Sequence, residues 1–133
     1  MVFSIRQFSN LPILKMALYH DGRYDFRALE EQMENTVITF AMKDEKTGIY
    51  KVANEAASIV LKYPCDMNAK KEYYIIYEFS EEDTNKPGIY IGEFKITFLN
   101  KSFQPINTLI VPIAEQLYIH VLDSFVKSDV TYI

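Results

Sequence analysis

Alternating apolar and polar positions mark the clearest strand of this chain, over residues 89–99 (IYIGEFKITFL). One face carries Tyr90, Phe94, Ile96 and Phe98, and the other carries Glu93, Lys95 and Thr97. Because successive side chains of a strand point to opposite faces, this period of two predicts a strand with one buried face. Gly92 falls on the buried face, where a glycine indicates a bulge or a close neighbour.

Several other segments show the same kind of pattern. Residues 73–79 (YYIIYEF) place Tyr73, Ile75, Tyr77 and Phe79 on one face. Short apolar runs predict further strands over residues 11–19, 37–42, 49–52, 57–63 and 107–113. Residues 116–122 also alternate, although a helix there would align Leu117, Val121, Leu122 and Phe125. The β-branched residues of that segment favour the strand.

Turn signals separate these segments. They are His20-Asp21-Gly22, the charged run 43–48 that ends in glycine, and Pro87-Gly88. Pro112 predicts a strand end or an edge strand, because proline cannot donate to a ladder. Residues 26–34 (FRALEEQME) favour one or two helical turns. Together these signals predict an all-β, antiparallel β-sandwich with one short helix, formed as a single domain over residues 1–133 with short N- and C-terminal arms.

Composition narrows the range of partners. Of 133 residues 14% are aromatic, which favours strands, and the net charge is −4. The longest basic run is Lys70-Lys71, so we expect neither nucleic-acid nor membrane binding. Cys65 is the only cysteine, which rules out an intramolecular disulfide and suits synthesis inside a cell. We find no signal peptide, and the apolar run TLIVPIA is too short to span a bilayer.

Candidate chemistry is sparse. His20 and His120 are far apart in sequence, and neither belongs to a metal-binding motif. Cys65 has no motif that supports a nucleophile. The acidic loop at residues 81–85 (EEDTN) does not have the spacing of an EF-hand, and the glycines form no phosphate-binding loop. We therefore predict no metal, no cofactor and no catalytic residues, and hence a protein that is not an enzyme.

Apolar residues near both ends of the chain are the main candidates for protein contacts. They lie outside the compact pattern, and exposed apolar groups favour association. They either fold back as edge strands on their own sandwich or add to the sheet of a neighbour, and we favour a neighbour for at least one end. Tyr74, opposite the buried face of its strand, is a further candidate. The predicted interface residues are Val2, Phe3, Ile5, Phe8, Tyr74, Val130, Tyr132 and Ile133.

The stretch from Tyr73 to Val126 resembles a known class of module. It contains an aromatic strand, an EEDT loop, PGIYIGEF and the ending LIVPI…LYIHVLDSF. This arrangement is similar to the immunoglobulin-like β-sandwich modules of phage tail and virion proteins, such as the N-terminal domain of baseplate upper proteins. The upstream segment VITFAMKDEKTGIYKVANEAASIV resembles the earlier half of such modules. The resemblance covers roughly residues 35–126 and supplies no catalytic residues.

The resemblance implies a structural or adaptor protein of a bacteriophage virion, in the tail, baseplate, neck or head decoration. Such a protein would be made in the cytoplasm of the host bacterium and would hold other virion proteins, as part of a symmetric homo-oligomer. The alternative is a module that binds carbohydrate or the host surface, which needs exposed aromatic side chains beside polar ones in a groove.

Overall fold

The regular elements that the structure describes are all strands. A computed structural model describes residues 1–18, 20–21, 24–25, 35–61, 65 and 73–125. The strands in these ranges are β1 (Val2–Arg6), β2 (Leu14–Leu18), β3 (His20–Asp21), β4 (Tyr24–Asp25), β5 (Thr36–Asp44), β6 (Tyr50–Ala56), β7 (Ser58–Leu61), β8 (Tyr73–Tyr77), β9 (Gly88–Leu99), β10 (Pro105–Val111) and β11 (Leu117–Leu122). Within the same ranges, no helix is long and apolar enough to cross a membrane.

Two sheets form the sandwich. The larger has the order β1-β11-β9-β5-β6, with β10 also paired to β9, and the smaller has the order β2-β8-β7. All of these pairings are antiparallel except that of β1 with β11, which is parallel. The short strands β3 and β4 pair with each other. The predicted all-β sandwich is therefore confirmed.

Strand β9 organises the larger sheet because it is long enough to pair with two strands along one side. Its first half pairs with β11 and its second half with β10, while β5 runs along its other side. At the end of β10, Val111 is opposite Phe94 of β9, and at the start of β11, Leu117 is opposite Gly92. The connecting residues 112–116 therefore interrupt the pairing along this side of β9 at a single residue, Glu93. Pro112 follows the last residue of β10, as its missing donor predicts.

Aromatic side chains fill the space between the sheets. Phe40 of β5 stacks on Tyr77 of β8, with ring centroids 4.5 Å apart, and its ring lies 4.9 Å from that of Phe94. Phe79 meets Tyr77 edge-on at 5.1 Å. The predicted inward residues of β9, Tyr90, Phe94, Ile96 and Phe98, are all buried, as are Ile75, Tyr77 and Phe79. The period of two therefore identified the core faces of both strands correctly.

Some elements differ from prediction. The first strand of the chain is β1. The strand predicted over residues 11–19 is the second, β2, and it is shorter than predicted. His20 and Asp21 form a short strand instead of a turn. The helical turns predicted over residues 26–34 lie outside the described residues. Residues 117–122 form a strand with Leu117, Ile119 and Val121 buried, so the helical alternative was wrong.

Candidate interaction surface

The N-terminal segment belongs to the sandwich itself. Val2 is opposite Tyr118 and Ile5 is opposite Val121 in the parallel ladder of β1 with β11. Ile5 is only 2% exposed, and the ring of Phe3 stacks on that of Phe79 at 5.7 Å. The predicted interface role of Phe3 and Ile5 is corrected here, because both side chains pack into their own core. Their alternation with Ser4 and Arg6 was the signal for this strand.

One row of side chains crosses the solvent-facing side of the larger sheet. We call it the outer row, and it consists of Val2, Tyr118, Ile91, Lys43 and Tyr50, which are opposite one another on β1, β11, β9, β5 and β6. Val2 is 62% exposed and Tyr50 61% exposed. The hydroxyl of Tyr118 is 2.7 Å from Oε1 of Gln116, which holds that ring on the surface. Sequence reasoning identified Val2 in this row but missed the four other members, because a strand pattern does not reveal which strands are neighbours.

A shallow depression lies at the β5–β6 end of the outer row. Its volume is about 50 Å³, and it is lined by Ala41, Met42, Lys43, Tyr50, Ile91 and Glu93. Ala41 is 9% exposed although it lies on the outer side of the sheet, because the larger side chains around it cover it. Pockets that enclose small ligands are typically several hundred Å³, so this depression fits the tip of one side chain rather than a whole ligand.

The other predicted interface residues are dispersed. Tyr74 lies on β8 of the smaller sheet, half-buried, with Nζ of Lys15 4.4 Å from its ring centroid. Phe8 is 38% exposed, and its main-chain N–H donates to the carbonyl of Thr84. The structure therefore does not bring Tyr74 and Val2 onto one surface. Val130, Tyr132 and Ile133 lie outside the described residues.

The acidic loop is an anchor for the segment that follows β1. Thr84 is fully buried, and its hydroxyl donates to the carbonyl of Ser9 at 2.9 Å. Asp83 accepts hydrogen bonds from the Tyr77 hydroxyl at 2.7 Å and from the Ser80 main-chain N–H at 3.0 Å. Burial, together with the hydrogen bond to the Asp83 carboxylate, raises the pKa of Tyr77. These contacts give the loop a structural role.

The described His120 and Cys65 belong to no cluster of metal-ligating side chains within the described residues. His120 is half-buried on β11, opposite Ser4 and Ile89, and Cys65 is exposed. The side chain of His20 lies outside what the structure describes. In the described parts of the chain, no group of three or more His, Cys, Asp and Glu residues is placed to hold a metal ion.

A second surface lies along β10. This strand pairs with β9 on one side only, and no described strand pairs with its other edge. Ile106 is 53% exposed and Ile110 39% exposed. The neighbouring turn and loop add Phe103 at 73% and Ile113 at 45%. We call this surface the β10 edge.

No family model matches this chain, and neither does any curated protein or solved structure. The outer row and the β10 edge both carry exposed apolar side chains. Lys43 of the outer row and Glu93, which lines the adjoining depression, carry opposite charges. Surfaces of this kind are suited to contact with other protein surfaces, whose cores are apolar and whose rims are polar.

Proposed function

We propose that this protein is a structural or adaptor subunit of a bacteriophage virion that holds neighbouring virion proteins. The observation that carries the proposal is the outer row, a band across five paired strands in which Val2, Tyr118, Ile91 and Tyr50 are apolar or aromatic and Lys43 is charged. An exposed apolar band on a sheet face is costly for a free monomer and useful for a subunit that is covered in an assembly. The resemblance of residues 35–126 to modules of phage virion proteins supports a virion as the assembly in question.

We also propose that the sandwich is of the immunoglobulin type, and the strand order supports this. If β2 is strand B and β5 is strand C, then β6, β7, β8 and β9 are C′, D, E and F, and β10 with β11 is an interrupted G. The sheets then have the order G-F-C-C′ and B-E-D, as in variable-type domains. Strand β1 lies beside β11, at the outer side of the interrupted G strand.

Tyr90 supports the same assignment. Immunoglobulin-type domains often carry a tyrosine near the start of strand F whose hydroxyl bonds to main chain a few residues upstream. The Tyr90 hydroxyl donates to the carbonyl of Lys86 at 2.8 Å, and the side chain is 2% exposed. The chain lacks tryptophan and has one cysteine, so the disulfide and tryptophan of antibody domains are replaced by other packing.

The functional proposal is tested by particle incorporation. Val2→Ser and Tyr50→Ser combined remove two highly exposed members of the outer row without touching the core, so the variant should fold. We expect the wild-type protein to sediment with intact particles at a fixed copy number, and the double variant to be depleted from them. Leu11→Ser is the matched control, because Leu11 is 65% exposed and lies outside the row. Absence of the wild-type protein from purified particles would refute the proposal.

The alternative function, binding of carbohydrate or of the host surface, can be tested at the depression beside Tyr50. Tyr50 is an exposed aromatic side chain next to Lys43 and Glu93, the combination that a carbohydrate-binding surface uses. Titration of the purified protein with bacterial surface oligosaccharides would then shift the ring resonances of Tyr50. Saturable shifts that disappear in Tyr50→Ser would favour carbohydrate binding over protein contact at this position.

A further inference from the structure

The outer side of the larger sheet is wide enough for a stable contact with one protein partner. Its strands β1, β11, β9, β5 and β6 cover about 24 Å at the usual strand spacing. Along β9, the outward residues from Ile89 to Thr97 cover about 27 Å. A face of these dimensions, about 650 Å², is close to the roughly 800 Å² that each partner contributes to a standard interface.

Two opposite charges lie side by side on this face. Lys43 of β5 is opposite Ile91 of β9, and Ala41 is opposite Glu93, so Lys43 and Glu93 are diagonal neighbours that line the same depression. Both charged side chains are exposed. Among the residues that the structure describes, the ion pair joins the N-terminal amine to Glu115, so Lys43 and Glu93 do not neutralise each other within the chain.

We propose that this face packs against the same face of a second copy of the chain, about a two-fold axis that runs over Ala41 and Ile91. In a face-to-face contact such an axis lies parallel to the sheets, and it exchanges residues on its two sides. Lys43 and Glu93 lie on opposite sides of the line from Ala41 to Ile91. Lys43 of each copy therefore meets Glu93 of the other, while the apolar residues meet at the centre.

A second complementary pair follows from the same axis. Tyr50 is opposite Lys43 on β6, and Lys95 follows Glu93 on the outward side of β9. At the usual strand spacing and residue rise, the axis brings Lys95 of one copy within reach of the Tyr50 ring of the other, which suits a cation–π contact within about 6 Å. An unrelated partner would have to supply an acidic, a basic and an aromatic group at matching positions. A second copy supplies all three by symmetry, which favours it as the occupant.

This inference deepens the proposed function, since it rests on the protein acting as an assembled subunit and names a second copy as the neighbour that covers the outer row. It is tested on the purified full chain in the absence of particles. A monomeric protein that still entered particles would refute the self-contact and leave the proposed function standing. A dimer that was absent from particles would refute the proposed function and leave the self-contact intact.

The experiment measures mass by sedimentation equilibrium, and methyl resonances by NMR, as the protein concentration is raised. We expect the mass to rise to twice the 15.5 kDa of one chain. The methyl resonances of Ala41 and Ile91 should shift with the rise in mass, whereas those of Val60, on β7 of the smaller sheet, should not. A protein that stays monomeric, or a dimer whose formation leaves the resonances of Ala41 and Ile91 unchanged, would overturn the proposal.

Charge exchange identifies the face that joins the two copies. Lys43→Glu and Glu93→Lys should each weaken the dimer about tenfold, because each change turns two symmetric attractions into repulsions. The variant with both changes regains opposite charges and should dimerise like the wild type. Lys101→Glu and Glu82→Lys are the matched controls, because they make the same charge changes at exposed residues outside the face. A dimer that responds to the single exchanges no more than to these controls, or that the double exchange fails to restore, would contradict the assigned face.

Discussion

The ring of Phe40 lies directly over the α-carbon of Gly92. A β-carbon built at position 92 would be 3.0 Å from two carbons of that ring, and 3.5 Å from a carbon of Ile119. Phe40 is fully buried and stacked against Tyr77, so its ring cannot move aside cheaply. The Phe40 ring therefore packs on bare backbone of the neighbouring strand of its own sheet and, through Tyr77, on the smaller sheet.

Gly92→Ala should therefore destabilise the protein by about 1–3 kcal/mol, the usual cost of overpacking a core. The loss should shrink when Phe40 is shortened to leucine, because the smaller side chain leaves room for the new methyl group. Denaturant unfolding of the wild type, both single variants and the double variant gives the coupling between the two sites. Additive losses would show that the two residues do not constrain each other.

Phe94 should be among the most costly core residues to truncate. It is fully buried on the face of β9 that meets the rings of the opposite sheet, so Phe94→Ala should cost about 3–5 kcal/mol through lost burial and the cavity that remains. Phe125→Ala is the control, since that side chain is 99% exposed and its removal should change stability by less than about 0.5 kcal/mol. Thermal unfolding measures the stability of both variants. Equal losses of stability would show that Phe94 is not part of the core.

Thr84→Val should loosen the connection between the acidic loop and the segment after β1. The variant keeps the shape of the side chain but leaves the carbonyl of Ser9 without the hydroxyl that donates to it. Because Ser9 is only partly buried, the loss of this hydrogen bond should cost about 0.5–1.5 kcal/mol. Hydrogen exchange should speed up at Phe8, whose N–H donates to the Thr84 carbonyl, more than at Met16 in the core. Thr84→Ser, which retains the hydroxyl, should behave more like the wild type.

Stability should fall above about pH 10, where tyrosines of the unfolded chain ionise. Burial raises the pKa of both Tyr77 and Tyr90, with the charges of Asp83 and Asp44 acting in the same direction. The unfolded chain therefore loses these protons first, and rising pH favours unfolding until the folded-state pKa values are passed. Tyr77→Phe with Tyr90→Phe should be less stable at neutral pH and should show a shallower decline. If the stability of this double variant declined as steeply with pH as that of the wild type, ionisable groups other than Tyr77 and Tyr90 would be responsible for the loss of stability at alkaline pH.

Local pattern predicted the strands with a buried face well and predicted surfaces poorly. In β9 the alternation of apolar and polar residues by itself shows which side chains point inward. Tyr90, Phe94 and Ile96 were therefore identified as buried without knowledge of the strands that pair with β9. The segment that forms β1 was interpreted as an N-terminal arm. Its composition would be the same whether it paired with a strand of its own sandwich or extended away from the domain. Its parallel pairing with β11 depends on residues more than a hundred positions away.

The surfaces depend on strand order in the same way. Tyr50 and Tyr118 become neighbours of Ile91 only through the order of β6, β5, β9 and β11, which no local signal contains. At Gly92 the sequence predicted either a bulge or a close neighbour. The choice between them, and the identity of Phe40 as the neighbour, required the register of β5 with β9. Deletion of residues 1–8 would remove the buried Ile5, so we expect it to reduce folding itself rather than to affect assembly alone.

Cryo-electron microscopy of an intact phage particle would show directly whether this chain is a virion subunit. We expect a two-sheet sandwich to occur at symmetry-related positions, with a neighbouring protein covering Val2, Tyr118 and Ile91 of the outer row. A particle that lacks the chain, or one in which the outer row of every copy faces solvent, would contradict the central claim.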